Sequence, residues 1–160
     1  MTTLNTALPV GRESLQALSD LRREPAWLAE FRQQALELAG TLELPKLEKT
    51  RIDRWNIDRY GEYKEVTKVE SLDNLPEEIS ALVSQESVSS GVLIQRNSGV
   101  IYSSLSEELK QKGVILTDLE TAAREHEDLV RSHLMQAVKA DEHRLAALHA
   151  ALWSGGLFLY

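Results

Sequence analysis

The sequence contains no cysteine. Its absence excludes disulfide bonds, thiolate zinc sites, cysteine-ligated iron–sulfur clusters and cysteine nucleophiles from these 160 residues. A chain without cysteine fits a reducing compartment, and we therefore expect a cytoplasmic protein. Long apolar runs are also missing, since no stretch approaches the roughly 20 residues that a membrane span needs. Residues 1–10 lack the basic region and apolar run of a signal peptide, so none is predicted.

Positive charge is in deficit as well. The chain has 18 Lys and Arg against 25 Asp and Glu, which gives a formal net charge of -7. An acidic chain repels phosphate backbones and anionic lipid surfaces, so we expect neither nucleic acid nor a membrane as a partner. Hydrophobic residues make up 42% of the chain, which is enough for one domain with a buried core.

Apolar residues at helical spacing predict two helices in the first quarter of the chain. The first should run from Glu13 to Arg22. The second should begin at Pro25, where a missing N–H is harmless, and end at Gly40. The apolar positions that define them are Leu15, Leu18 and Leu21 in the first helix and Leu28, Phe31, Ala35 and Leu38 in the second.

The stretch from residue 41 to residue 75 is predicted to be an irregular connection, because it is rich in charge and contains Pro45. Trp55 has two interpretations. Large aromatic side chains mostly serve burial, which favours an anchor that pins the connection, with Ile52 and Ile57, onto the domain. Trp55 beside Arg54 could instead mark a binding surface, because Trp and Arg are enriched at interface hot spots.

The middle of the chain carries the clearest β signal. Two apolar runs flank Asn97-Ser98-Gly99, a cluster typical of a hairpin turn. Ser104 and Glu107 form a capping-box pattern for a short helix that ends at Gly113, and Thr117 or Asp118 can cap the next helix. We predict a small three-stranded sheet, preceded by a helix from Pro76 to Ser84. Its strands should cover residues 91–95, 100–103 and 114–117.

The last third is predicted to be helical from Leu119 to Trp153, with a break near Asp141. Two apolar faces support this: Leu129, Val130, His133, Leu134, Ala137 and Val138 in the first part, and Leu145, Ala146, Leu148, Ala151 and Leu152 in the second. Ser154-Gly155-Gly156 should end the helix. Residues 157–160 then begin an apolar strand with no evident pairing partner, which favours a chain cut at a domain junction.

The sequence offers little chemistry. Phosphate-binding loops and the nucleophile elbow are absent, because GxxxxGK[ST], GxGxxG and GxSxG do not occur. His126 and His133 could share a helix face, but zinc would need further ligands. Runs of carboxylates among Lys and Arg are typical of solvated helix faces. One alternative function stays open, a small metal-dependent hydrolase that uses the region from His126 to His149.

Three segments together resemble the SufB/SufD family, the paired scaffold proteins of the Suf system for iron–sulfur cluster assembly. Residues 24–36, EPAWLAEFRQQAL, are similar to an EPxWLxxxRxxAL element of the family. Residues 44–55, LPKLEKTRIDRW, resemble its proline-then-tryptophan segment, in the form found in the SufD branch. Residues 147–160, ALHAALWSGGLFLY, resemble the stretch that leads into the family's central β-helix.

The resemblance implies both a fold and a function. The residue pattern itself predicts a helix-dominated α+β domain at 11–153, preceded by a flexible arm at 1–10, and the resemblance makes this the N-terminal domain of a longer protein. Residues 154–160 would be the first strand of a right-handed parallel β-helix. The function implied is that of a non-enzymatic scaffold subunit that assembles with SufB and the ATPase SufC. No catalytic, cofactor-binding or metal-binding residue of the family carries over to this segment. The interface hypothesis names Arg54, Trp55, Trp153, Phe158 and Tyr160.

Overall fold

A computed structural model describes residues 8–55, 57, 66–83 and 90–160. It confirms an α+β chain dominated by helices. In order, the elements of the described residues are α1 (Arg12–Leu21), α2 (Ala26–Thr41), a 3-10 turn (Ile52–Arg54), a second 3-10 turn (Leu72–Asn74), α3 (Glu77–Ser80), β1 (Gly91–Arg96), β2 (Gly99–Leu105), α4 (Glu107–Gln111), β3 (Leu116–Asp118), α5 (Leu119–Glu125), α6 (Glu127–His133), α7 (Arg144–Leu152) and β4 (Leu157–Leu159).

The chain divides into two compact units. We call Met1–Glu62 with His126–Trp153 the helical unit, and Tyr63–Glu125 with Ser154–Tyr160 the strand unit. Among the described residues, none of the helices has both the length and the apolarity that a membrane crossing requires.

The core of the helical unit forms where α2 meets α7. Small side chains on α7 let the two backbones approach closely, because an alanine fills little space between helices. The buried residues are Leu15, Ala35, Leu36, Ala150 and Ala151 in one cluster and Ala39, Ala147 and Leu148 in the next. The predicted apolar stripe of α2 is therefore confirmed at Leu28 and Ala35, whereas Phe31 and Leu38 are only half-buried.

The ends of α1 and α2 differ from the prediction. Leu21 is 64% exposed, although its spacing had placed it on the buried face of α1. Helix α1 ends in a Schellman motif: the Glu24 N–H donates to the Ser19 carbonyl, and the Arg23 N–H donates to the Asp20 carbonyl, both at 3.0 Å. Gly40 does not stop α2, which continues to Thr41.

The predicted hairpin is confirmed in the strand unit. Strands β1 and β2 pair antiparallel from Gly91–Leu105 to Arg96–Gly99, and Asn97 turns the chain with a φ of 54°. The register shifts after Ile94, which leaves Ile101 as a bulge on β2. The carbonyl of Ile101 accepts a hydrogen bond from the Val69 N–H instead.

The predicted three-stranded sheet is wrong in its pairing. Strand β3 exists, but it pairs antiparallel with β4, so the described strands form two sheets of two strands each. Leu116 lies opposite Leu159, and Ile115 and Tyr160 exchange two backbone hydrogen bonds of 3.0 Å. The strand at 157–159 was expected to lack a partner within its own chain, and that expectation is wrong too. Its apolar pattern predicts a strand but carries no information about which strand it joins.

Two caps flank β3. Ser106 accepts the Leu109 N–H at the start of α4, so the predicted cap at Ser104, which lies inside β2, is wrong. Gly113 follows α4 with a φ of 83°, and the predicted end of that helix is confirmed. Asp118 caps α5 through the Thr121 N–H at 2.8 Å, which is one of the two caps foreseen.

The long helix predicted for the last third is three shorter ones. His126 separates α5 from α6, and α6 ends at His133 rather than near Asp141. Met135 has a φ of 55°, which breaks the helical path, and Val138 is 51% exposed. The helix predicted from Pro76 to Ser84 is limited to α3, Leu82 is 84% exposed, and Ser84 lies outside the described residues.

Candidate interaction surface and buried charge cluster

A buried ion pair joins the turn after α1 to α2. The guanidinium of Arg32 donates to both oxygens of the Glu24 carboxylate, from Nε to Oε2 at 2.9 Å and from Nη2 to Oε1 at 2.8 Å. Both side chains are only 1% exposed. A bidentate pair of this kind fixes the two groups in one plane, and burial strengthens their attraction.

The same guanidinium reaches the end of α7. Its Nη1 donates to the carbonyls of Ala151 at 3.0 Å and Trp153 at 2.9 Å, and its Cζ lies 4.2 Å from the centre of the Trp153 ring. Arg22 adds a contact of 3.6 Å to Glu24. Last-turn carbonyls of a helix have no intrahelical donor, so a buried cation there satisfies them. The cluster holds three chain segments together by charge and hydrogen bonding.

Sequence reasoning missed the burial of Arg32. An arginine is ordinarily read as a solvated residue. Its position contained the signal, because residues four apart on a helix share a face. Arg32 follows Leu28 by four residues and precedes Leu36 by four, and both leucines are buried. A charged residue in the centre of an apolar face indicates a buried partner.

The predicted anchor role of Trp55 is wrong, because its side chain is 59% exposed. Ile52, three residues earlier, is 4% exposed and pins the 3-10 turn instead. Ile57 is half-buried against Ala39, Ala147 and Leu148. Arg54 is exposed beside Trp55. Both residues of the interface hypothesis in this turn are therefore open to solvent.

The other three residues of the interface hypothesis fall in different settings. Trp153 is 8% exposed and packed on Arg32, so its ring is an interior group of the helical unit and not a surface one as the sequence suggested. Phe158 is half-buried in β4, and Tyr160 is 63% exposed. The last two belong to the strand unit.

Three of the four histidines, His133, His143 and His149, help to line an apolar depression of about 470 Å³ in the helical unit. One ring is already engaged, since His143 Nδ1 accepts the Ala146 N–H at 3.0 Å. Within the described ranges, no group of three or more His, Asp or Glu side chains could hold a metal ion. Nothing in the structure therefore favours the hydrolase alternative.

Asp118 is the one described carboxyl with a clearly displaced pKa. Burial raises the pKa of this group, but hydrogen bonds from Thr121 N–H, Lys68 and the Thr121 hydroxyl, together with the charge of Lys68, lower it by more. Lys68 Nζ lies 3.0 Å from Oδ2. The net pKa is below the ordinary value of 3.8, so Asp118 is an ionised cap rather than a proton donor near neutral pH.

Comparison with known proteins decides the family. The model of the SufBD protein N-terminal region matches residues 16–160. The chain belongs to the SufBD family. Among curated relatives it is 47% identical over 160 residues to the iron–sulfur cluster assembly protein SufD of Bacillus subtilis, with 99% of this chain and 37% of that protein covered.

Two further SufBD relatives are more distant. An iron–sulfur cluster assembly SufBD family protein of Pyrococcus horikoshii is 32% identical over 168 residues, with 99% of this chain and 37% of that protein covered. The assembly protein SufB of Bacillus subtilis is 28% identical over 158 residues, with 93% and 34% covered. The chain thus spans little more than a third of the length of the curated relatives it matches.

Apart from Arg22, the residues of the buried cluster lie in segments whose sequence resembles the SufBD family. Glu24 and Arg32 both belong to residues 24–36, and Trp153 belongs to residues 147–160. The structure explains why these two segments need each other, since Arg32 binds the Trp153 carbonyl over a separation of 121 residues. Glu24, Arg32 and Trp153, which belong to the segments that resemble the SufBD family, therefore stabilise the fold.

Proposed function

We propose that this chain is the N-terminal domain of a non-catalytic scaffold subunit of the SufD type, which acts in iron–sulfur cluster assembly in complex with SufB and SufC. One observation carries the choice of branch. Against two proteins of the same organism, the chain is 47% identical to SufD and 28% identical to SufB. The subunit works in the cytoplasm, without nucleic acid or membrane as a partner.

The charges of the described residues support a structural role. Glu24 is held by two guanidinium groups, and Asp118 is held ionised at a helix N-terminus. General acid–base catalysis needs a carboxyl whose pKa lies near the working pH. The pKa of Asp118 is instead lowered, and Glu24 is held in a buried ion pair, as expected of a domain that positions other parts of a complex.

The proposal includes a division of the chain. Residues 11–153 form the α+β domain, and residues 154–160 lead into a right-handed parallel β-helix. Of the arm expected at 1–10, residues 1–7 lie outside the described residues, and Leu8 and Val10 pack against the core of the helical unit. Pairing of β4 with β3 is compatible with this, because it engages one edge of β4. A strand has two edges, and the other can pair with a following coil.

A domain exchange tests the branch. The N-terminal region of Bacillus subtilis SufD is replaced by this chain in cells depleted of their own SufD, and the activity of an iron–sulfur enzyme such as aconitase is measured. We expect the chimera to restore activity. The matched control carries the N-terminal region of SufB and should restore much less. Equal rescue by both, or rescue by the SufB form alone, contradicts the assignment to the SufD type.

Metal analysis tests the competing hydrolase. The purified chain is passed through a chelating resin, reloaded with zinc, and examined by plasma mass spectrometry beside a variant with His133, His143 and His149 changed to Ala. The scaffold proposal expects less than one tenth of an equivalent of zinc in both. Stoichiometric zinc that is lost in the triple variant would favour the hydrolase.

A further inference from the structure

One of the three tryptophans, Trp55, is mostly exposed to solvent directly after the 3-10 turn Ile52–Arg54. Trp55 is 59% exposed, whereas Trp153 is 8% exposed and Trp27 is half-buried. A buried aromatic side chain contributes a large apolar area to a core, so an exposed one forgoes that contribution. Single apolar side chains on a surface are common, so the exposure of Trp55 has to be considered together with the backbone and the charges around it.

Backbone hydrogen bonds on both sides hold the turn. The Arg54 N–H donates to the Arg51 carbonyl at 3.1 Å, and the Trp55 N–H donates to the Ile52 carbonyl at 3.0 Å. The Ile57 N–H donates to the Trp55 carbonyl at 3.1 Å. The side chains of Ile52 and Ile57 point into the helical unit on either side. The indole is therefore presented by an anchored backbone, which limits the entropy that binding would remove.

The turn also concentrates positive charge. Residues 46–55 carry four basic side chains, Lys46, Lys49, Arg51 and Arg54, against the two acidic residues Glu48 and Asp53, in a chain whose net charge is -7. Lys46 also lies 3.7 Å from Glu43, so the excess of positive charge rests mainly on Lys49, Arg51 and Arg54. All four basic residues are exposed. Leu47 in the same stretch is 52% exposed and adds apolar area. We call residues 46–55 the basic-aromatic surface.

We propose that the basic-aromatic surface is a docking site for an acidic protein segment that carries aliphatic side chains between its carboxylates. Complementary charge steers such a segment to the turn, and a pocket of aliphatic groups covers the indole. Trp and Arg at the centre of an interface are the residues that most often dominate its affinity. Trp55 and Arg54 are the two expected hot spots. This inference does not depend on the SufD assignment.

Charge distinguishes this occupant from two others. A nucleic acid carries a phosphate charge every few ångströms and would meet the repulsion of the whole acidic chain, whereas a short acidic segment meets mainly the local surface. A second copy of the chain would also offer carboxylates. Its self-association would appear as a change of mass with concentration.

The test is a selection with a defined probe. A phage library that displays random 16-residue peptides is selected on the immobilised 160-residue chain and, in parallel, on its Trp55→Ala variant. The strongest peptide is synthesised, and its dissociation constant is measured by fluorescence anisotropy. We expect sequences enriched in Asp and Glu with Leu or Ile, and binding at least about 10-fold weaker to Trp55→Ala and to Arg54→Glu.

Matched controls exclude general effects. Leu82→Ala removes a more exposed apolar side chain, and Lys139→Glu reverses another exposed charge of the helical unit; both should bind the peptide within about 2-fold of the parent. Trp55→Ala should melt within about 2 °C of the parent, because the side chain is mostly in solvent. Raising the salt concentration should weaken binding to the parent more than to Arg54→Glu.

Four outcomes overturn the proposal. The first is a selection that yields no peptide, or peptides without acidic enrichment. The second is equal binding to the parent and Trp55→Ala. The third is tighter binding of a labelled single-stranded oligonucleotide, lost in Trp55→Ala, which would make the surface a nucleic-acid site. The fourth is a dimer in sedimentation that Trp55→Ala abolishes, which would make the occupant a second copy.

Discussion

The helical unit and the strand unit are stabilised by different means. At the junction of α2 and α7, the helical unit encloses a carboxylate and two guanidinium groups whose side chains are at most 3% exposed. The strand unit is joined by paired backbones, by turns with positive φ, and by one capping carboxylate, Asp118, whose cation Lys68 is 64% exposed. Both units have an apolar core, and the helical unit adds a buried charge cluster to it.

The contrast predicts which substitutions each unit tolerates. A buried ion pair need not add net stability, but removal of one member leaves the other charge buried and unpaired. The strand unit also has an apolar cluster, at Leu75, Ile94 and Ile101. Its turns and caps are the positions to test, because a positive φ and a capping side chain each depend on a single residue. The four predictions below are ordered by the size of the expected effect.

Glu24→Ala should be the most damaging of the four changes. It leaves Arg32 and Arg22 without the carboxylate they share, and loss of one partner from a buried pair costs about 3–5 kcal/mol of unfolding free energy. Urea unfolding monitored by circular dichroism measures it. Glu37→Ala is the control, because its pair with Arg12 is mostly in solvent and should contribute less than about 1 kcal/mol. Similar losses of unfolding free energy for the two variants would show that the buried ion pair contributes no more than the exposed one.

Gly155→Ala should be the most damaging change in the strand unit. Gly155 has a φ of 70°, and a Cβ placed there would lie 2.2 Å from the Ser98 carbonyl oxygen. Strain and steric overlap together should cost about 2–4 kcal/mol. Gly113→Ala is matched to it, because Gly113 has a φ of 83° with nothing within 4 Å and should lose only about 1–2 kcal/mol. A larger loss for Gly113→Ala would show that the close contact with Ser98 is not the cause.

Asp118→Ala should cost about 1 kcal/mol, the usual contribution of a helix cap. The effect should depend on pH. The native pKa of Asp118 is lowered, so its contribution is present above the unfolded pKa of roughly 3.9 and is lost as pH falls through the native pKa. Thermal melts between pH 6 and pH 2 should therefore show a steeper acid loss for the parent than for Asp118→Asn. Parallel pH curves would contradict the assigned pKa direction.

Arg23→Gly should raise stability by about 0.5–1 kcal/mol. Arg23 has a φ of 53° at the end of α1, a conformation that glycine adopts without the steric cost of a Cβ. Ala17→Gly, in the middle of the same helix, should lower stability by about 1 kcal/mol. Opposite signs for two glycine substitutions in one helix are the expected result of thermal unfolding. A loss in both would argue against the Schellman end.

Some local features were predictable from the sequence, although the helix stop at Gly40 and the cap at Ser104 were wrong, whereas the partners of distant segments were not predictable. The hairpin turn at Asn97, the helix end at Gly113 and the cap at Asp118 each depend on a few neighbouring residues, and all three are confirmed. The pairing of β3 with β4 joins segments about 40 residues apart, and an apolar strand pattern does not encode its partner. Helix α6 ends at His133, where Leu134 is extended and Met135 has a positive φ, and apolar periodicity does not reveal either change of backbone conformation.

The candidate site shows the same division. The sequence singled out Trp55 as a tryptophan in a polar loop but did not show whether it is buried. In the structure Ile52 and Ile57 are the buried and half-buried residues of this turn, and Trp55 is exposed. Trp153 was expected on a surface, and its burial follows from Arg32, a residue 121 positions away. Whether an aromatic side chain faces a core or a partner is a property of its neighbours in space.

A double-mutant cycle between Glu24 and Arg32 tests the central claim most directly. The unfolding free energies of the parent, Glu24→Gln, Arg32→Met and the double variant are measured in urea under identical conditions. The buried bidentate pair predicts that the double variant is more stable than the sum of the single losses implies, with a coupling of about 3 kcal/mol. A coupling below about 0.5 kcal/mol would mean that the two residues act independently, and it would contradict the account.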